Sequence, residues 1–254
     1  MRRVDGEASR RAPDEVAVEE PLEIRLDGHV VTTTMRTPGD DHELAVGFLH
    51  AEGSLADARV QGVRSCGLGL DPRAAFNVVD VSSGGAAPPP VARLATTTSA
   101  CGVCGAAAVD DLIARLDPIA APPPIPVPTL LAVVEAVRRN QALFDATGGV
   151  HAAAAFTVAG EIVLVREDVG RHNAVDKVVG RLRLDDRLPA ADLGLYVSGR
   201  AGFEIVQKAW AAGFGTVVAV GAPTSLAVDV ARQAGLVLAA FLRPGGLNLY
   251  APAP

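Results

Sequence analysis

The chain has 254 residues and a formal net charge of −6, and apolar residues make up 49% of it while aromatic residues make up only 4%. This length fits one large domain, or a small domain joined to a larger one. The acidic balance excludes general nucleic-acid binding, which depends on lysine and arginine side chains that neutralise phosphates. Because no stretch reaches about 18 uninterrupted apolar residues and no apolar segment follows the basic N-terminus, we expect no membrane helix and no signal peptide.

Cysteine is rare and has no framework spacing. The three cysteines are Cys66, Cys101 and Cys104. Such usage is typical of a reducing compartment, where thiols act chemically rather than as disulfides, so the sequence predicts a cytoplasmic protein. Cys66 stands alone in a turn-like, glycine-containing stretch, and we interpret it as an incidental small residue.

Short alternating stretches dominate the first part of the chain. Apolar and polar residues alternate on both sides of Asp27-Gly28, a pair that suits a tight turn and predicts a β-hairpin. Asp40 is placed to cap a helix. In chain order the predicted elements are a hairpin of residues 22–26 and 30–35, a helix over 41–52 and a strand over 76–81. We expect a disordered tail over residues 1–15 and then a small N-terminal α+β domain over residues 16–98.

The second part alternates helical and β-rich stretches, which predicts an α/β domain over residues 99–254 with a largely parallel sheet. Proline-rich segments at 86–90 and 118–128 flank its cysteine-containing start, and neither can continue a helix or a central strand. Predicted helices cover residues 130–144, 173–183, 203–212 and 225–234, and predicted strands cover residues 152–158, 162–166, 194–198, 216–220 and 237–241.

Cys101-Gly102-Val103-Cys104 precedes an alanine-rich helical run that ends near Leu116. Thiols at the positive end of a helix have a lowered pKa, and the thiolate is the form that attacks or carries sulfur. Taken alone, the pair fits half a zinc site, a redox dithiol or a sulfur relay, with a purely structural turn as a fourth interpretation. Zinc is disfavoured because three or four ligands are needed and only Cys66 and scattered histidines, of which His151 is best placed, remain.

Three strand-to-helix turns carry the other candidate side chains. In α/β sheets ligands bind at the carboxyl ends of strands, and helix N-termini there accept phosphate through backbone N–H groups. The turns are the charged stretch 166–177, Ser198-Gly199-Arg200 and residues 221–225. None matches the Walker or dinucleotide fingerprint, so the predicted ligand bears phosphate but is not simply ATP or NAD. The candidate binding residues are His151, Arg171, His172, Lys177, Ser198, Gly199, Arg200, Thr224 and Ser225.

These motifs, taken in order along nearly the whole chain, resemble the formate dehydrogenase accessory sulfurtransferase family. The resemblance rests on Glu20-Pro21-Leu22, on Met35-Arg36-Thr37-Pro38-Gly39-Asp40-Asp41, on the Cys101 to Gly105 stretch, on Thr147 to Ala153, on Glu167 to Lys177, on Ser198-Gly199-Arg200 with Glu204 and Lys208, and on Ala222 to Ala227.

The resemblance implies a cytidine-deaminase-like three-layer α/β domain with a smaller, mainly β N-terminal domain, usually in a homodimer. It implies that a cysteine desulfurase loads persulfide onto Cys101, with Cys104 as its partner. The sulfur would then pass to a bis(molybdopterin guanine dinucleotide) molybdenum cofactor that formate dehydrogenase, the client, requires. The implied guanine-dinucleotide contacts are Phe241, Leu242, Arg243, Pro244, Gly245 and Gly246.

Fold kinship does not carry deaminase chemistry over to this chain. Zinc deaminases need H-x-E and P-C-x-x-C, yet Ala153 stands two residues after His151 and Ala100 precedes Cys101. We therefore expect no zinc. Two other functions stay open: a non-catalytic chaperone for the molybdenum cofactor, and a thioredoxin-like oxidoreductase, which is disfavoured because no aromatic residue accompanies the cysteine pair.

Overall fold

The computed structural model describes residues 1–6, 8–66, 77–90 and 113–251. Cys101 and Cys104 lie outside the described residues, so their predicted roles stay predictions. Within the described part, no helix is both long and apolar enough to cross a membrane.

The N-terminus forms a two-stranded antiparallel hairpin, β1 Arg2–Asp5 and β2 Ala8–Arg11. The amino group of Met1 donates a hydrogen bond of 2.9 Å to the carbonyl of Ala12 and closes its open end. The structure therefore differs from the disordered tail predicted for residues 1–15. Backbone pairing holds this hairpin, and a sequence with no apolar face there gives no signal of it.

The small unit is a four-stranded sheet with one helix packed on it. Its elements are β3 Glu20–Leu26, β4 His29–Arg36, α1 Asp41–Ala51, β5 Gly62–Ser65 and β6 Val78–Ser82. The strand order is β4-β3-β6-β5. Leu22, Ile24 and Leu26 alternate towards the helix, as the period of a strand requires, and share one buried core with Leu44 and Leu49 of α1.

The large unit is a six-stranded sheet between two layers of helices. Its elements are α2 Val127–Arg138, α3 Ala142–Thr147, β7 His151–Thr157, β8 Ile162–Asp168, α4 Arg171–Leu184, β9 Leu193–Val197, α5 Phe203–Ala211, β10 Thr216–Ala219, α6 Ser225–Ala234, β11 Val237–Arg243 and β12 Gly246–Ala251. The strand order is β12-β11-β10-β9-β7-β8. One core joins the sheet to α4, α5 and α6, and a second core joins its other face to α2.

The sheet is mixed, so the prediction of a largely parallel sheet was wrong. Only β9, β10 and β11 pair in parallel, while β7 is antiparallel to both β8 and β9, and β12 is antiparallel to β11. The four residues between β7 and β8 are too few for a crossover connection, which needs a dozen or more.

The helix predicted over residues 130–144 is two helices, α2 and α3. The Glu167 carboxylate accepts hydrogen bonds of 2.9 Å from the backbone N–H groups of Leu143 and Phe144. It thereby satisfies donors that the first turn of any helix leaves open, and a new helix begins there. Because Glu167 comes from β8, this boundary is a tertiary effect.

Helix α1 of the small unit crosses α4 of the large unit with direct backbone contact. A Cβ atom added at Gly47 would lie 1.8 Å from the carbonyl oxygen of Asp176, and one at Gly180 would lie 1.8 Å from that of Glu43. Only glycine fits at both positions. Arg166 of β8 adds two hydrogen bonds to the Glu43 carboxylate, of 2.5 and 2.9 Å, so the two units are joined by packing and by charge.

Candidate functional site

The three predicted strand-to-helix turns meet at one edge of the large sheet. Strands β9, β10 and β11 are parallel, so their carboxyl ends lie side by side. Because β7 runs the other way, its first residue, His151, lies at that same edge and pairs in register with Asp168 at the end of β8. The edge thus holds the polar turns that α/β proteins use for ligands.

At this edge, His151, Arg171, Ser198 and Gly199 lie in contact range of one another. Ser198 Oγ is 3.5 Å from His151 Nδ1 and accepts a hydrogen bond of 2.9 Å from the backbone of Ala152. A Cβ atom added at Gly199 would lie 3.5 Å from His151 Nδ1 and 3.4 Å from Arg171 Cδ. The structure therefore brings together four residues that the sequence proposed from separate motifs.

Arg171 is the residue of this group with unused hydrogen-bonding capacity. Its Nε atom is buried and has no hydrogen-bond partner in the described part of the chain. It is also the first residue of α4, so its backbone lies at the positive end of a helix of 14 residues. A buried unsatisfied donor on a cation is costly, and an anionic ligand would remove that cost.

The surroundings of His151 favour its neutral form. Burial lowers its pKa below 6.5, and the positive charges of Arg171 and His172 lower it further, while Asp168 opposes them. A neutral imidazole adds no charge to the site but can still donate or accept one hydrogen bond. The fixed positive charge near Gly199 therefore comes from Arg171.

The lowered pKa of His151 predicts a pH effect on stability. Between that pKa and 6.5 the unfolded chain binds the proton more tightly than the folded protein, so this contribution to stability falls as pH drops through 6.5. We expect His151→Gln to lose less stability than the unmodified protein between pH 7.5 and 5.5. Asp176, whose pKa is raised to about 6, acts oppositely but equally in both proteins. Urea unfolding of the two proteins at pH 7.5 and 5.5 measures the loss in the free energy of unfolding. Equal losses in the two proteins would contradict the prediction.

The turns after β9 and β10 are bound to each other. Gly221 donates a hydrogen bond of 2.9 Å to the carbonyl of Gly199, and a Cβ atom at Gly221 would lie 2.9 Å from Arg200 N. Thr224 Oγ1 accepts from the backbone of Ala227 at 3.2 Å and so acts as the N-cap of α6. Thr224 is therefore a structural cap at the rim of the site. Ser225 and Arg200 lie nearby and are exposed.

The predicted guanine-contact stretch is the turn between β11 and β12. Arg243 pairs in register with Gly246, and Gly245 has a φ of 84°, as the second position of a type II turn after Pro244 requires. Leu242 is buried in the core, so its side chain does not face a ligand. Phe241 is 37% exposed, has a positive φ of 54°, and donates its backbone N–H to the Gly221 carbonyl at 3.2 Å.

Lys177 has a different role from the ligand contact predicted for it. Its side chain is buried, and Nζ reaches the carbonyls of Thr37 and Glu167 at 3.0 and 3.1 Å and the Asp168 carboxylate at 2.9 Å. An ammonium group has three donors, and three acceptors already occupy them. Lys177 therefore binds the small unit to the end of β8 instead of facing the crevice, which is the site at the sheet edge formed by His151, Arg171, Ser198 and Gly199.

Asp168 is the counterpart of Lys177 and is completely buried. Its carboxylate also accepts hydrogen bonds from the backbone of Thr37 at 3.1 Å, from that of Gly170 at 2.8 Å and from the Asn173 side chain at 2.9 Å. Within the charged stretch 166–177, Asp168 and Lys177 thus join the two units. Arg171 of the same stretch lies at the crevice.

Two side-chain pairs between α4 and α5 were not predicted from the sequence, which had proposed His172 as a ligand contact. His172 pairs with Glu204 at 2.8 Å, and Asp176 pairs with Lys208 at 2.7 Å. Burial raises the pKa of Asp176 to about 6, although Lys208 opposes that change. The i, i+4 spacing of both pairs of residues along their helices was the available signal. The buried side chain of His172 therefore already has a carboxylate partner, Glu204.

No group of three or more histidine, cysteine, aspartate or glutamate side chains could hold a metal ion within residues 1–6, 8–66, 77–90 and 113–251. Cys66, which the structure does describe, is a free thiol.

Residues 17–253 match the model of the FdhD/NarQ family. The sulfur carrier protein FdhD of Streptomyces coelicolor is 52% identical over 98% of this chain and 91% of its own. Its counterpart in Mycolicibacterium paratuberculosis is 48% identical over 96% of this chain and 92% of its own. The crystal structure of a proposed formate dehydrogenase accessory protein from Desulfotalea psychrophila, 23% identical, matches 100% of this chain and 96% of its own with a TM-score of 0.76. That likeness confirms the predicted fold class.

Proposed function

Since the chain belongs to the FdhD/NarQ family, as its motifs indicated, we propose that it is a sulfur carrier in the maturation of formate dehydrogenase. The observation that carries this proposal is the family match over residues 17–253, which spans the Cys101-x-x-Cys104 motif. We place its action in the reducing cytoplasm, where free thiols persist.

In this proposal, Cys101 receives sulfur from a cysteine desulfurase. The Cys101 thiolate attacks the outer sulfur of the donor's cysteine persulfide. The donor's S–S bond breaks, a new S–S bond forms on Cys101 Sγ, and the donor cysteine leaves as a thiolate, so no outside oxidant or reductant is needed. Cys104 is placed to share the sulfur or to resolve the persulfide. Bound zinc would occupy both thiolates, so the proposal includes no zinc.

The acceptor in this proposal is the bis(molybdopterin guanine dinucleotide) molybdenum cofactor, bound as substrate at the crevice. Arg171 supplies the positive charge for its phosphates, and α4 begins at that residue, so its first-turn amides are further donors for an anion bound there. Phe241 offers an exposed aromatic side chain at the rim, beside the turn of residues 243–246. The client is formate dehydrogenase, and we propose a homodimer as the working form.

GDP, a fragment of that cofactor, tests the crevice. We expect GDP to bind, and we expect Arg171→Ala to weaken binding by about ten- to hundredfold, because a hydrogen bond to a charged group contributes about 1.5 to 3 kcal/mol. Isothermal titration calorimetry measures both affinities. Arg139→Ala, an exposed arginine next to α2 on the opposite sheet face, is the matched control and should bind as the unmodified protein does.

Two results would count against the crevice. GDP that produces neither heat nor a shift in melting temperature would remove the support for a nucleotide site. Equal binding by Arg171→Ala and the control would show that Arg171 does not contact the phosphates.

A chaperone that binds the molybdenum cofactor without carrying sulfur is the second candidate. The unsatisfied buried Nε of Arg171 supports it as well, because a crevice for an anion serves either function. The two differ only in whether the thiols are required.

A further inference from the structure

The N-terminal hairpin of β1 and β2 concentrates positive charge in a chain whose net charge is −6. In its register Arg2 lies directly opposite Arg11, and Arg10 is the next residue on the same strand. All three side chains are exposed. Like charges directly opposite each other on two strands destabilise the pair, so the hairpin works against its own pairing. An anion bound beside these arginines would offset that repulsion.

The hairpin arginines have no carboxylate partner among the residues that the structure describes. None of the three takes part in an ion pair there, and Arg2 Nε donates its hydrogen bond of 2.5 Å to the neutral hydroxyl of Ser9. Of the described elements, β1 and β2 contact chiefly each other. A two-stranded hairpin by itself is only marginally stable in water. The hairpin therefore exposes a basic surface that no packing fixes against the rest of the protein.

The segment that follows the hairpin passes beside the start of β7. A Cβ atom added at Gly149 would lie 3.4 Å from the Cβ atom of Ala17, so the chain is in contact there. Gly149 comes two residues before His151, which belongs to the crevice. Arg11 comes six residues before Ala17, and a chain of that length spans at most about 20 Å. The arginines of the hairpin are therefore tethered close to the crevice.

We propose that the hairpin is a basic arm that closes on the crevice, where Arg2, Arg10 and Arg11 meet the phosphates of the bound ligand. The inference rests on the proposed function, which places a phosphate-bearing cofactor in the crevice. Arg171 alone does not balance the negative charge of the two diphosphate groups that such a cofactor contains, so further cations are needed. Guanidinium groups form strong, charge-assisted hydrogen bonds with phosphate oxygens.

GDP binding by the intact protein at two salt concentrations tests this inference. We expect the triple variant Arg2→Gln, Arg10→Gln and Arg11→Gln to bind GDP about tenfold more weakly than the unmodified protein at low salt. At high salt the difference should shrink, because salt screens exposed charges. Isothermal titration calorimetry measures the affinities. The matched control carries the same change at three exposed arginines outside the hairpin, Arg139, Arg187 and Arg232. It should bind GDP as the unmodified protein does.

The outcomes separate the inference from the proposed function. If the hairpin variant and the unmodified protein bind GDP equally well, the arm does not contact the phosphates, and the inference is overturned while the crevice stands. If the hairpin variant and the control weaken binding equally, net charge is responsible, and the inference again fails. Fluorescence anisotropy with duplex DNA gives a further outcome: binding tighter than that of GDP, lost only in the hairpin variant, would assign the arm to nucleic acid instead. If the unmodified protein binds no GDP, the proposed crevice falls and the arm with it.

Discussion

Replacement of Cys101 by alanine should abolish maturation of formate dehydrogenase. In cells that lack the native copy of this protein, Cys101→Ala should give formate dehydrogenase activity no higher than an empty vector. Alanine has no sulfur atom on which a persulfide can form. Formate-dependent dye reduction in cell extracts measures this. The effect is expected to be the largest of any single substitution, since it removes the sulfur-carrying atom and not a contact that supports it.

Cys66→Ala is the matched control, because it removes a described free thiol of the same chain. It should support activity equal to the unmodified protein. Full maturation by Cys101→Ala would show that the thiol carries no sulfur, and the chaperone interpretation would replace the sulfur carrier.

Replacement of Lys177 by methionine should destabilise the folded protein by about 3 to 5 kcal/mol. The substitution keeps an apolar side chain of similar length but leaves the completely buried Asp168 carboxylate without its cation at 2.9 Å. Breaking a buried ion pair by removal of one partner costs about this much because an uncompensated charge stays inside. Urea unfolding followed by circular dichroism measures the free energy of unfolding.

Arg232→Met is the control, since Arg232 and Asp229 form an exposed pair at 3.8 Å whose loss should hardly change stability. A loss below about 1 kcal/mol for Lys177→Met would contradict the structural role. Weakened GDP binding at unchanged stability would instead restore the ligand contact that the sequence predicted for Lys177.

Regular elements with strong patterning could be predicted from the sequence, and their boundaries hold to within a few residues. The helix predicted over residues 225–234 has those bounds in the structure, because Thr224 caps its start and Gly235 ends it with a φ of 73°. Strand β12 was not predicted from the sequence. It follows a Pro-Gly turn, and its buried or half-buried apolar side chains are those of Leu247, Tyr250 and Ala251, which do not alternate along the strand. The direction of β7 was also missed, although its short link to β8 required a hairpin.

The candidate site was predicted in composition more than in geometry. The glycine-rich approach to β7 suggested His151, and the turns after β8 and β9 suggested Arg171, Ser198 and Gly199; the structure places these four residues within contact range of one another. The charged stretch 166–177 also suggested Lys177 as a ligand contact. Its sequence neighbours do not show that its Nζ donates to the carbonyl of Thr37, which lies 140 residues away. Whether a charged side chain binds a ligand or a buried partner depends on tertiary contacts, which residue type and spacing do not determine.

The measurement that tests the sulfur-carrier proposal most directly is the mass of the Cys101 peptide after incubation with a cysteine desulfurase and cysteine. After alkylation and digestion, we expect a gain of about 32 Da per transferred sulfur atom on Cys101, lost again on treatment with a thiol reductant. The Cys66 peptide in the same digest should keep its mass. An unmodified Cys101 peptide, under conditions in which the desulfurase turns over cysteine, would contradict the proposal that this chain carries sulfur.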